Sequence, residues 1–181
     1  MVFGLLFLMM AGPANKHTAN DNTSGVITVL NTMLSMTEEQ RAKVCFVLFD
    51  NEEMGLLGSA AFKTMHKKTM KDKPLLNFDC VSDGAYMFAK LPKRDKKTEF
   101  GKKFTEVMEK HIKDCGMTPV VGTSGFYPSD QAHFKHGVGI ASLKKSKLLG
   151  LYMDRIHTSK DTVFEERNIE CLTNAMIEFV S

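Results

Sequence analysis

The 181-residue chain lacks several features that mark common functional classes. Its four cysteines form no Cys-x-x-Cys pair, so a zinc site of thiolates is not expected, and reduced thiols argue against a disulfide-stapled secreted protein. The net charge is only +3 and no basic stripe with interleaved aromatic residues is present, which gives no support to nucleic-acid binding. Repeats and coiled-coil heptads are absent too, and a hydrophobic fraction of 43% predicts one core.

The apolar run at residues 2–11 is shorter than the roughly 20 residues that a membrane-spanning helix requires. It has the length of a signal-peptide core, yet no Lys or Arg precedes it. We interpret residues 1–14 as the end of a transmembrane span, with a signal-like segment or a buried strand as alternatives. The favoured location is therefore membrane-associated, through residues 2–11, and a cytoplasmic protein is the alternative.

What the chain does contain is a pair of adjacent glutamates, Glu52 and Glu53, directly after an apolar stretch at residues 44–49. A uniformly apolar stretch of this length predicts a strand that is covered on both faces. Metal-assisted hydrolysis needs such a pair, because one carboxylate can bind a metal while the other takes a proton from water. Two acids in a loop are usually just solvated, so this interpretation depends on further ligands.

Three other residues could supply those ligands. Asp21 precedes an apolar helical pattern, Asp79 ends a hydrophobic run, and His157 follows a predicted strand. Each therefore stands at an edge of regular structure, where a rigid scaffold can present it. Carboxylates with one imidazole suit zinc, cobalt or manganese better than calcium.

Apolar patterns along the chain predict alternating strands and helices, which indicates a three-layer α/β/α sandwich around a mixed, mostly parallel sheet. Pro and Gly interrupt residues 116–134, so we predict a loop over the site there. Residues 90–97 hold five Lys or Arg and form either a solvated connection or a contact for anionic substrate or lipid headgroups. The predicted strands are 44–49, 75–81, 86–89, 139–143 and 148–153, and the predicted helices start near Val26, Leu56, Phe100 and Ile169.

Five motifs occur in a fixed order along the chain. They are Ala-Asn-Asp-Asn-Thr-Ser-Gly at 19–25, Phe-Asp-Asn-Glu-Glu-Met-Gly-Leu-Leu-Gly-Ser at 49–59, Asn-Phe-Asp at 77–79, Ser-Asp-Gln-Ala-His-Phe at 129–134 and Ile-His-Thr-Ser-Lys-Asp-Thr at 156–162. Together they resemble the co-catalytic zinc aminopeptidases, a family that includes bacterial leucyl aminopeptidase, glutamate carboxypeptidase and glutaminyl cyclase. The resemblance implies a zinc-dependent exopeptidase that hydrolyses N-terminal peptide bonds of peptide substrates.

Carried over position by position, the resemblance also implies roles for single residues. Asp21 would bridge two zinc ions, and Glu52 would be the general base. Glu53 and His157 would complete one metal site with Asp21, while Asp79 would belong to the second.

The resemblance further implies that residues 129–134 line the substrate pocket, through Ser129 and Asp130. Tyr127 could donate a hydrogen bond to the developing oxyanion, with a packing or exposed tyrosine as the alternative. Gln131 stands where the family more often has histidine.

One departure concerns the second zinc ion. The family places a His-x-Asp motif upstream of the bridging aspartate, and this chain has none. His17 lies only four residues before Asp21, in a polar loop, and is expected to be an exposed loop residue. The family domain is also longer. We therefore expect residues 15–181 to form a zinc peptidase catalytic domain that is incomplete at its N-terminus, with only one of the two metal sites complete.

Two alternatives to the peptidase remain open at this point. Glutaminyl cyclases share the architecture but use a single zinc held by Asp, Glu and His, a trio that is present here. The chain could also be an inactive fragment or a binding module that keeps the fold.

Overall fold

The computed structural model describes residues 15–181. The strands are β1 (Leu75–Phe78), β2 (Tyr86–Lys90), β3 (Thr118–Gly122), β4 (Gly137–Ser146) and β5 (Gly150–Tyr152). The α-helices are α1 (Gly25–Ser35), α2 (Glu38–Arg41), α3 (Leu57–Met65), α4 (Glu99–Asp114) and α5 (Glu166–Val180).

The five strands form one mixed sheet in the order β1-β4-β2-β3, and β5 pairs with β4. The pairs β1–β4 and β2–β3 are parallel, whereas β4 runs antiparallel to β2 and to β5. Strand β4 is buried at its first seven positions because it lies at the centre of the sheet and is covered on both faces. The α/β class expected from the alternating pattern is thereby confirmed.

The helices supply most of the core that supports the sheet. Helix α5 packs against both α1 and α4, and α4 also contacts β3. The side chains of Phe104 and Ile112, on the apolar face of α4, are fully buried, as the helical spacing of apolar residues predicts. The hydroxyl of Thr98 accepts a hydrogen bond from the backbone N–H of Gly101 at 3.1 Å and caps the first turn of α4.

The predicted strand at residues 44–49 is not formed. Within residues 15–181 this segment makes no ladder pairing; it lies across a cavity of about 690 Å³ from β1. Cys45 and Leu48 are exposed, so the uniform burial expected for this segment was wrong as well. The apolar sequence favours burial, but a strand also needs a neighbour that accepts its backbone hydrogen bonds.

Residues 116–134 were predicted to form one continuous loop, and that prediction was wrong. They contain β3 and a short 3-10 turn, Asp130–His133. Strand β3 lies at the edge of the sheet, where Pro119 is tolerated although it has no N–H to donate. The β1 strand is shorter than predicted because Cys80 adopts a left-handed backbone conformation, with φ of 55°.

None of the helices within residues 15–181 is long and apolar enough to cross a membrane. The interpretation of residues 1–14 as the end of a transmembrane span, or as a signal-like segment or strand, lies outside the described residues.

Candidate metal centre

Asp21 lies in an irregular turn, Ala19–Ser24, just before α1. The turn is held by the carboxylate of Asp161, which accepts hydrogen bonds from the backbone N–H groups of Asn20 (2.8 Å) and Asp21 (2.9 Å). Asp161 is only 1% exposed, so these charge-assisted bonds are shielded from water and fix the backbone of Asp21 firmly.

Two asparagines tie the same turn to the chain that follows β1. The side-chain oxygen of Asn20 accepts from the backbone N–H groups of Ser82 (2.8 Å) and Asp83 (3.0 Å). The side-chain oxygen of Asn22 accepts from the N–H of Cys80 at 3.2 Å. These bonds bring the carboxylate of Asp79, just after β1, close to the carboxylate of Asp21 in the turn.

Glu52 and Glu53 lie in a tight turn between residues 44–49 and α3. The carbonyl of Glu52 accepts from the N–H groups of Gly55 (3.0 Å) and Leu56 (2.8 Å). Asn51 and Leu56 both have positive φ, 52° and 61°, which reverses the chain on either side of the pair. The two glutamates are thus presented at the start of α3 and not along a strand.

Asp21, Glu53 and His157 converge in space although they are far apart in the chain. The Nε2 atom of His157 lies 3.0 Å from Oδ2 of Asp21 and 2.9 Å from Oε1 of Glu53. The ligand atoms of the three residues all lie within 4.8 Å of one another. Asp21 also belongs to a second cluster of the same size, with Asp79 and Cys80. The structure therefore brings the other three predicted metal ligands close to Asp21.

Negative charge accumulates in this centre and changes its titration. Burial, followed by the charges of Asp79 and Glu53, raises the pKa of Asp21 to about 6, while His157 opposes the rise. Burial and the same two carboxylates raise the pKa of Glu52 to about 7. A divalent cation would relieve this repulsion, and carboxylates with an imidazole are ligands that zinc accepts, so the residues fit that metal.

Sequence reasoning missed two residues of the centre. Asp161 lies in the last motif but was given no role, since only the fold shows that it holds the Asp21 turn. Cys80 was set aside for lack of a second cysteine, yet its Sγ lies 3.4 Å from Oδ1 of Asp79. Burial raises the pKa of the Cys80 thiol far above its ordinary value, so in the metal-free centre it is protonated. The one sequence feature that could have indicated Cys80 is its position directly after Asp79.

The predicted substrate-binding residues Tyr127, Ser129 and Asp130 lie beside this centre. The hydroxyl of Tyr127 donates to the backbone carbonyl of Asp79 at 2.9 Å. Ser129 is fully buried and its hydroxyl accepts from Asn77 at 3.0 Å, while Asp130 is 6% exposed. The contact of these three residues with substrate stays a prediction. His17 is exposed and belongs to neither cluster of ligands.

Comparisons with known proteins agree with this fold. A zinc aminopeptidase from Bacillus subtilis, BSAP, superposes with a TM-score of 0.61 and 19% identity over 89% of this chain and 42% of its own. A peptidase from Clostridium acetobutylicum gives a TM-score of 0.58 and 18% identity over 89% of this chain and 37% of its own. At such identities the likeness shows the fold, and the chain spans less than half the length of either structure.

A search among curated proteins finds no match. The sequence model of peptidase family M28, by contrast, matches residues 9–180, which is nearly the whole chain. That match includes the turn of Asp21, the glutamate pair, Asp79 and His157. The chain therefore belongs to peptidase family M28.

Proposed function

We propose that this chain carries the catalytic centre of a zinc-dependent peptidase of the aminopeptidase type, with Glu52 as its general base. The observation that supports this most strongly is the convergence of Asp21, Glu53 and His157, with Nε2 of His157 within 3.0 Å of both carboxylates. Membership of a peptidase family supports peptide substrates, and a zinc aminopeptidase with the same fold supports the metal.

Zinc held by these residues would supply a Lewis acid that acidifies water and polarises a peptide carbonyl. Glu52 stands beside the ligand cluster without belonging to it, which leaves its carboxylate available for proton transfer. In the metal-free chain the pKa of Glu52 is raised to about 7, and beside bound zinc its carboxylate would accept a proton and return it to the departing amine. The neighbouring carboxylates of Asp79 and Glu53 contribute to that pKa, so the ligands also tune the base.

The second cluster favours a peptidase with two metal ions over a cyclase with one. Asp21 lies within ligand distance of Asp79 and Cys80 as well as of Glu53 and His157. This arrangement supports Asp21 as a bridge between two metal positions. Zinc content measured on the intact protein discriminates the alternatives: two ions per protein favour the peptidase, one favours the cyclase, and none favours a non-enzymatic module.

The test of the general base compares Glu52→Gln with Glu170→Gln, a matched change at an exposed position on α5. Release of the N-terminal residue from a peptide is measured on the intact protein, together with its zinc content. We expect Glu52→Gln to keep its zinc and to lose about 100-fold to 10,000-fold in turnover, as is typical of a missing general base. The control should match the unaltered chain.

Turnover by Glu52→Gln equal to that of the control, with zinc still bound, would remove Glu52 as the base. Loss of zinc from the variant would instead assign Glu52 to the metal ligands.

A further inference from the structure

A second cavity, of about 880 Å³, has an unusual lining. Seven of its lining residues are Lys or Arg, and no Asp or Glu lines it. Lys135 is paired with Asp72 at 2.6 Å. The other six make no ion pair with any residue in 15–181; they are Lys63, Lys67, Lys71, Lys90, Lys93 and Arg94.

The cationic side chains come from three separate parts of the chain. They come from α3 and the turns after it, from the end of β2 and the loop that follows, and from the segment just before β4. The one carboxylate in that loop, Asp95, is 2% exposed and binds His136 at 2.7 Å, so it does not neutralise the cavity. Like charges that surround a concave surface focus a positive potential, which favours an anionic ligand.

Two residues that line the cavity, Tyr127 and Gln131, are linked by hydrogen bonds to the backbone of Asp79. The hydroxyl of Tyr127 donates to the carbonyl of Asp79, and the amide of Gln131 donates to the carbonyl of Tyr127 at 2.7 Å. Tyr127 therefore lines the basic cavity and also contacts the backbone of a predicted metal ligand.

We propose that this cavity binds the side-chain carboxylates of an acidic peptide, so that the chain prefers peptide substrates that carry Glu or Asp. The preference as a substrate rests on the proposed peptidase function, whereas binding of the acidic peptide does not. Arg94 offers a planar fork for a carboxylate, and the lysines offer mobile point charges. A concave surface admits a single extended chain more readily than a plane of lipid headgroups.

The test measures fluorescence anisotropy of a labelled peptide, alanine followed by glutamates, with a methylated first peptide bond that prevents cleavage. The control ligand is the same peptide with glutamine in place of each glutamate. The zinc-loaded chain is compared with the double variant Lys90→Gln/Arg94→Gln and with Lys102→Gln/Lys147→Gln, which removes two exposed charges outside the cavity. Melting temperatures confirm that both variants fold.

We expect the glutamate peptide to bind about tenfold more tightly than the glutamine peptide, and the cavity variant to lose about tenfold in affinity for it. High salt should abolish the difference. Equal binding of the two peptides, or equal losses in both variants, would overturn the proposal. Capture by anionic vesicles that depends on Lys90 and Arg94, without peptide selectivity, would assign the cavity to lipid and overturn it too.

A kinetic arm separates this proposal from the proposed function. If the chain cleaves peptides, the cavity variant should raise KM for the acidic peptide and leave kcat unchanged, because its two residues lie outside the catalytic machinery. If the chain cleaves nothing, the anisotropy measurement still decides whether the acidic peptide binds.

Discussion

Replacing Glu52 with glutamine should stabilise the metal-free chain at neutral pH, although it removes the proposed base. The pKa of Glu52 is raised from 4.5 to about 7 by burial and by the carboxylates of Asp79 and Glu53. The folded state therefore binds the proton more tightly than the unfolded state does. The contribution of Glu52 to stability is complete at acidic pH and is lost as the pH rises from about 4.5 to about 7.

The size of this effect follows from the pKa change. A rise from 4.5 to about 7 corresponds to about 3 kcal/mol, at about 1.4 kcal/mol for each pH unit. Water reaches this side chain, so we expect roughly half, or about 1.5 kcal/mol. Glutamine carries no charge at any pH, so Glu52→Gln should match the unaltered chain near pH 4 and exceed it near pH 7.5. For a chain of this size that gain corresponds to about 3–6 °C in melting temperature.

The assay is thermal unfolding followed by circular dichroism, in the presence of a chelator, from pH 4 to pH 8. Glu170→Gln serves as the control, because this glutamate is exposed on α5 and far from the centre in sequence. A Glu52→Gln variant that gains no stability between pH 4 and pH 7.5 would refute the account of charge crowding in this centre. So would an equal gain in the control.

Two further predictions concern the residues that hold Asp21 in place. Asp161→Ala should weaken zinc binding by about 10-fold to 100-fold, measured by titration, because Asp161 fixes the backbone of a ligand without being one; unchanged affinity would contradict this. Gly25→Ala should destabilise the chain by about 1–3 kcal/mol in urea unfolding, since its Cβ would collide with the carbonyl of Phe78, whereas Gly122→Ala, which has open space around it, should change little.

The ligands of the candidate site could be named from the sequence because each stands in a short motif at the edge of an element. Their convergence could not be read in the same way. Asp21 and His157 are separated by most of the chain, yet Nε2 of His157 lies 3.0 Å from Oδ2 of Asp21. That distance depends on Asp161 and two asparagines, whose side chains satisfy backbone groups of other segments.

The elements that were predicted wrongly share one physical cause. Residues 44–49 have the apolar character of a strand, but strand formation is decided by a partner elsewhere in the chain. The opposite error occurred at β3. Pro119 and nearby glycines predict a loop there, but the segment forms a strand because it pairs in parallel with β2. Helices α3, α4 and α5 begin close to their predicted starting residues because the hydrogen bonds of a helix are local.

The function of the basic segment at residues 90–97 also could not be predicted from its own sequence. Its own sequence is compatible with a solvated connection, and that was one of the two interpretations open. In the folded chain its cations Lys90, Lys93 and Arg94 face those of α3 and the following turns across one cavity. Repulsion among so many unpaired cations costs free energy unless an anion or solvent offsets it. The charge of a loop therefore gains functional meaning only from the other charges that the fold places opposite it.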